Sequence, residues 1–373
     1  MPISPAVRAT HPPTVWLARG RHTGSDPLDV VRRNLQRLKD AGTIDDFLEP
    51  PEAEDAPKPV VEARWRVPEG VTVRARLTVV RVADTEAHTE ADHGTEWVLA
   101  AEAEEPWDQR WPSPATVFWP DGPDADWDHD LPTGLRLRDV NRLPEDDKAM
   151  RRLFRDAVRG SWNIHVVVHE AMTPDDRGRR PLTPLLPESL RHRVVEHRAA
   201  PQQLRAVNWA LKETGVQVPR GGAVVLPAAP GKTGRETDEF AVRSVFLDGS
   251  EPSDLVDALT RFAAEPRPLP DGGEDAVTAL REQWHLLTVE EELVRERALV
   301  AMYAEALDAM TKSRDLYREA AERAHEALTA YRETAAALPE PPQPPAAPTA
   351  SPLQQLTRTL ERLKGTARTR DTP

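Results

Sequence analysis

The first regular pattern along the chain is a short apolar stretch, Thr14 to Arg19, followed by Asp26-Pro27. An aspartate able to cap and a proline at the first helical position predict a helix start. Leu28, Val31, Leu35 and Leu38 then fall at three- and four-residue steps on one face, and Gly42 is placed to end the helix. After an acidic, proline-rich loop from Glu49 to Pro59, Val71, Val73, Ala75, Leu77 and Val79 alternate with Thr72, Arg74, Arg76 and Thr78, the pattern of a half-buried strand. Trp97, Leu99, Ala101 and Ala103 repeat that alternation, and an antiparallel pair is the simplest way to join the two strands. Ala115 to Trp119 reads as an edge strand, Glu145 to Arg159 as a helix closed by Gly160, and Trp162 to His169 as a strand.

The order βαββαβ predicts an α+β fold of the ferredoxin-like kind, with helices on one face of an antiparallel sheet. A similar order follows: strand Arg193 to His197, helix Gln202 to Thr214, strands Ala223 to Leu226 and Phe240 to Leu247, helix Ser253 to Ala264. One or two such modules are therefore expected, over 14–180 and 181–270, after a disordered 1–13. The element order and the Pro-to-Gly punctuation match between the halves, while residue identity does not establish a repeat.

From Glu274 the pattern becomes helical. Ala276 to Leu287 forms a first segment, and Thr288 with Glu291 gives the capping box of a second. Val300, Tyr303, Leu307, Met310, Tyr317, Leu328 and Tyr331 lie on alternating three- and four-residue steps, with Arg314, Ala321 and Ala324 filling the seam. No Pro or Gly interrupts Thr288 to Leu338, so 273–338 is expected to be a helical hairpin or coiled coil, able to pair with a second copy of the chain through 288–338. The pairs Glu291 with Arg295, Asp308 with Lys312 and Glu319 with Arg323 support the helix by tenths of a kcal/mol each. The proline-rich segment 339–352 predicts an extended spacer. Beyond it, over 353–365, Leu353, Leu356, Leu360 and Leu363 form an apolar stripe with Arg358 and Arg362 around it. A helix this short is marginal in water, so its order is expected to come from docking on a protein partner.

Composition narrows the function classes. With no cysteine among 373 residues, disulfides, thiolate nucleophiles and cysteine-ligated metals are excluded. A net charge of -13 opposes a polyphosphate backbone, so no nucleic-acid partner is expected. No run of about 18 apolar residues predicts a membrane span, and the proline-interrupted N-terminus lacks a secretory apolar core. The expectation is a cytoplasmic protein, and the heavy use of Ala, Arg and Pro points to a GC-rich, bacterial genome.

Candidate chemistry is sparse. Gly231-Lys232-Thr233 resembles the end of a phosphate-binding loop, a second alternative for function, but Leu226 stands where its first glycine belongs and no helix pattern follows. Asp124, Asp126, Asp128 and Asp130 alternate like calcium ligands, yet His129 replaces the turn glycine and Leu135 the closing glutamate, so an exposed acidic loop is expected. His165 and His169 share one strand face on the order of 13 Å apart, too far for one ion, and are expected on the wetter face. His88, Glu90, Asp92 and His93 are expected to stay solvated in a loop. Trp111, Trp119 and Trp127 sit in a Trp- and Pro-rich stretch that could take a ligand on flat aromatic surface, although packing is the more economical account. No catalytic motif, metal set or cofactor fingerprint emerges. The leading expectation is a non-enzymatic adaptor acting through the long helix and the terminal peptide; the alternative is an enzyme or ligand-binding protein with a site on the Trp-rich region.

Overall fold

A computed structural model describes residues 10–51, 58–81, 94–122, 125–160, 162–170, 180–227, 238–245 and 252–336. The chain divides into two compact units, Met1–Thr288 and Val289–Pro373. The first is α+β and contains two five-stranded sheets.

The first sheet comprises β1 (Val15–His22), β2 (Asp46–Leu48), β3 (Val60–Arg66), β4 (Thr72–Arg81) and β5 (Thr95–Ala103), in the order β1-β5-β4-β3-β2 and antiparallel throughout. Alternation puts Trp16, Ala18, Ala63, Trp65, Val73, Ala75, Leu77, Trp97, Leu99 and Ala101 in one core, beneath α1 (Pro27–Asp40). The Asp26 side chain accepts from the Asp29 amide and caps α1, and Val31 and Leu35 are buried. On the opposite face Val15, Leu17 and Ala100 meet Val277, Leu280, Trp284 and Leu286, which come from α6 (Gly273–Glu282) and the turn after it. This face also holds the cross-strand pair Glu62–Arg76, Oε1 to Nη1 2.6 Å, both buried. Glu62 Oε2 accepts the amides of His285 at 2.8 Å and Leu286 at 3.0 Å, while Arg76 Nη1 donates to the Gln283 carbonyl at 2.6 Å.

The second sheet is mixed, in the order β10-β9-β7-β8-β6. It comprises β6 (Val140–Arg142), β7 (Ile164–His169), β8 (Val194–Ala199), β9 (Ala223–Val225) and β10 (Ala241–Val242). β6 and β7 run parallel to β8, and β9 runs antiparallel to β7. One face packs Ile164, Val166, Val168 and Val194 on α5 (Ser253–Ala264) and the turn at 182–190. The other packs Val167, Ala199 and Val224 on α3 (Asp147–Gly160) and α4 (Leu204–Ala210).

Two strands missing from the sequence reading, β2 and β3, change the topology. They complete an antiparallel five-stranded sheet, and β7 goes to the other sheet instead of closing a split βαβ sandwich. β3 does alternate, with Val61, Ala63 and Trp65 inward, but it begins directly after the Pro-rich loop. The boundary expected at 180/181 falls within the second sheet, since β7 pairs with both β8 and β9. Ala115 to Trp119 is not an edge strand: α2 (Ala115–Phe118) is a single helical turn closed by Trp119 N to the Ala115 carbonyl at 2.9 Å. Proline supplies no ladder donor, and Pro114 already sits in the helical region (φ -53, ψ -28). α6 lies on the first sheet, within the first unit.

The second unit is described through α7 (Val289–Ala336), a single helix of 48 residues, on the order of 70 Å long. It starts directly after Thr288, where the capping box places it, and Asp308–Lys312 (2.7 Å) and Glu319–Arg323 (3.5 Å) form as the spacing predicts. Among the described residues no helix is long and apolar enough to cross a membrane.

Candidate functional site

Polar groups converge where the edge of β1 meets the start of β7. The loop 125–137 runs along β1, with Arg21 N donating to the His129 carbonyl at 2.8 Å, and it carries Asp128 and Asp130 inward. Asp130 accepts at Oδ1 from Asn163 Nδ2 at 2.7 Å and at Oδ2 from the Thr133 amide at 3.2 Å; the Thr133 hydroxyl donates to the same oxygen. His165 Nε2 lies 3.7 Å from Asp130 Oδ2, and His165 Nδ1 lies 3.0 Å from His197 Nε2 across the β7–β8 pair.

The Asp130 charge favours one tautomer. A hydrogen on His165 Nε2 faces the Asp130 carboxylate, which leaves Nδ1 as the acceptor of the His197 Nε2 hydrogen; the reverse arrangement would point a lone pair at the carboxylate. His197 Nδ1 is then a buried lone pair with no partner. Burial lowers the basicity of both rings: for His165 Asp130 opposes the shift, and for His197 the neighbouring His165 deepens it. At 3.7 Å His165 Nε2 is beyond hydrogen-bond reach of Asp130 and is buried without a hydrogen-bond partner, so the hydrogen bond joins His165 to His197 and does not continue to Asp130. The cleft beside His165, lined by Ala157, Asn163, Leu226, Pro227, Phe262 and Arg267, has a free interior of about 10 Å³, room for about one water.

The histidine expectation is corrected in one respect. His165 and His169 do share a face of β7, but that face is dry, with 3% and 5% exposure, because α3 and α4 cover it. His169 Nδ1 accepts the Gly221 amide at 2.8 Å. The acidic loop is corrected as well: Asp128 and Asp130 are buried rather than solvated, and Asp128 is matched by Arg136 and by Arg138 (Nε to Oδ2, 2.9 Å). No group of three or more metal-ligating side chains occurs among the described residues.

Trp111, Trp119 and Trp127 lie in the first core, at 5%, 0% and 1% exposure. Trp119 stacks on Trp127 with centroids 6.2 Å apart, Trp97 touches both, and His22 and His192 flank them at 5.2 Å and 5.1 Å. Their faces meet one another, so packing accounts for them. Leu353, Leu356, Leu360, Leu363, Arg358 and Arg362 lie outside the described residues, as do Gly231-Lys232-Thr233, Asp124 and the segment from His88 to His93.

α7 carries the second candidate surface. Val300, Tyr303, Leu307, Met310, Tyr317, Leu328 and Tyr331 are all exposed, along the seam that the spacing predicts. Sequence reasoning missed His197 as a site residue and weighed Asp130 only as a calcium ligand. A signal was present in β8, where Glu196, His197 and Arg198 interrupt a Val-rich strand that parallel pairing buries on both faces. No family model matches this chain, and neither a curated protein nor a solved structure is found to be similar to it.

Proposed function

We propose that this chain is a non-enzymatic interaction protein in which the seam of α7 pairs, as a coiled coil, with α7 of a second copy, and the segment 353–365 docks a further protein through Leu353, Leu356, Leu360 and Leu363. The observation that carries the reading is the exposure of the α7 seam: Leu307, Met310 and Tyr317 are 64%, 69% and 76% exposed. Removing one such side chain from water contributes about 1.5–3 kcal/mol, so a run of them stabilises an association strongly. The alternating three- and four-residue spacing is the repeat that winds two helices into a left-handed coil. A second copy supplies a seam of matching length.

Sedimentation equilibrium on the full chain tests the pairing. The native protein is expected at twice the chain mass, and Leu307→Lys with Met310→Lys at the single-chain mass with its far-ultraviolet spectrum largely kept. A native chain that sediments at 41.6 kDa at every concentration removes the self-pairing reading. Comparing proteins captured from lysate by the full chain and by one ending at Leu338 tests the terminal peptide; identical captures return it to a spacer.

A further inference from the structure

Three segments far apart in sequence bring basic side chains to one cleft on the flank of β1. Arg193 precedes β8 and is tied by its backbone, its amide donating to the Leu190 carbonyl at 3.0 Å and its carbonyl accepting from Ile164 at 2.6 Å. Arg267 lies between α5 and α6, where its carbonyl accepts the His11 amide at 2.8 Å beside the Thr10–Pro268 bridge. The cleft is lined by His11, Arg193, Arg267 and Trp162, with Leu17, Pro268 and Pro270.

The charges there are unbalanced. Arg193 is 8% exposed, and among the described residues its side chain makes no hydrogen bond or ion pair; its Nε is buried without a hydrogen-bond partner there, and the guanidinium lies 5.5 Å from the Trp16 ring centroid. Arg267 sits 4.5 Å from the Phe262 ring centroid and forms no ion pair among the described residues. His11 Nδ1 donates to the Pro12 carbonyl at 3.0 Å, leaving Nε2 buried and unpartnered. Buried guanidiniums ordinarily have a carboxylate, and leaving the Arg193 charge uncompensated is costly.

We propose that this cleft is a binding site for the carboxylate of a small organic acid, held between the guanidiniums of Arg193 and Arg267 beside the Trp162 ring. Two features select carboxylate over phosphate. A planar carboxylate accepts two parallel bonds from a guanidinium fork. The free interior is also only about 10 Å³, room for about one water, so the walls must move for either anion, and by less for a planar carboxylate than for a tetrahedral phosphate. The electrostatics agree: burial and then Arg267 lower Arg193 to about 9, and burial lowers Arg267 to about 10, against the weaker pull of Glu265. A bound anion relieves both penalties. The occupant is an acid whose body extends from the cleft past Pro268, its exposed wall.

Thermal unfolding of the full chain in sodium acetate, sodium phosphate and sodium chloride at one ionic strength tests this. Acetate is expected to raise Tm saturably above chloride, with Kd for acetate at least ten-fold weaker in Arg267→Gln and in Arg193→Met. Arg267 is half-buried, so its variant keeps the test available if Arg193→Met does not fold. Equal Tm in acetate and chloride overturns the proposal, as does an acetate response that survives both substitutions. A larger response to phosphate that both substitutions abolish would overturn the carboxylate assignment.

Discussion

Single side chains in this protein act through what surrounds them. His192 is an instance: buried against Trp127, it is pushed from 6.5 to about 4, chiefly by desolvation. The unfolded chain takes up a proton there below pH 6.5 and the folded chain does not until about pH 4, so stability is level above about pH 7 and is lost as pH falls through that window. At pH 5 the loss from this one ring is about 2 kcal/mol. Urea unfolding at pH 7.5 and 5.0 should therefore show a smaller pH effect in His192→Gln by about that amount; identical pH dependence would refute the assignment. Gly20 is a second case. A Cβ there would stand 2.4 Å from the Trp97 ring, whose Nε1 donates to the Trp127 carbonyl at 2.9 Å. Gly20→Ala should lower unfolding free energy by about 1–3 kcal/mol through overpacking, read from the urea midpoint.

At the scale of elements, the Glu62–Arg76 pair shows how a polar group on a strand fixes a neighbouring segment. Glu62 is wholly buried, and its two oxygens receive Arg76 and the amides of His285 and Leu286. Glu62→Ala strands a buried guanidinium and two amides, and about 3–5 kcal/mol of stability should go with them. Glu62→Gln, which keeps an acceptor but not the charge, should lose less; equal losses in the two variants would show that the charge carries the whole effect and the neutral acceptor contributes nothing. Element existence was largely legible: α1, α3, α5, α7, β4, β5 and β7 lie where periodicity and capping predict them. β2 and β6, three residues each, are too short for alternation to register. β3 was obscured by the loop before it, and α2 was misread because one apolar turn between prolines has no period.

At the scale of the molecule, the four hydrophobic clusters among the described residues draw on 15–287. A chain ending at Thr288 should therefore unfold cooperatively with Tm within about 3 °C of the full chain, since no core residue is removed. A shift of 10 °C or more would mean that α7 carries part of the stability of the α+β unit. That test is independent of self-pairing, which is read from mass.

The sequence by itself determined the α+β content, the absence of cysteine chemistry, the length and start of α7 and the apolar seam along it, because each follows from local periodicity, capping and composition. Only the tertiary structure decided that β7 leaves the first sheet, that His165 meets His197 and Asp130, and that Arg193 and Arg267 share a cleft with His11. Strand pairing and side-chain convergence join residues as far apart in the chain as Thr10 and Pro268, and no local pattern encodes a contact over that separation. A buried charge lacking a partner is likewise a property of three-dimensional surroundings: Arg193 looks like any strand-edge arginine until the fold removes water and, among the described residues, supplies no carboxylate.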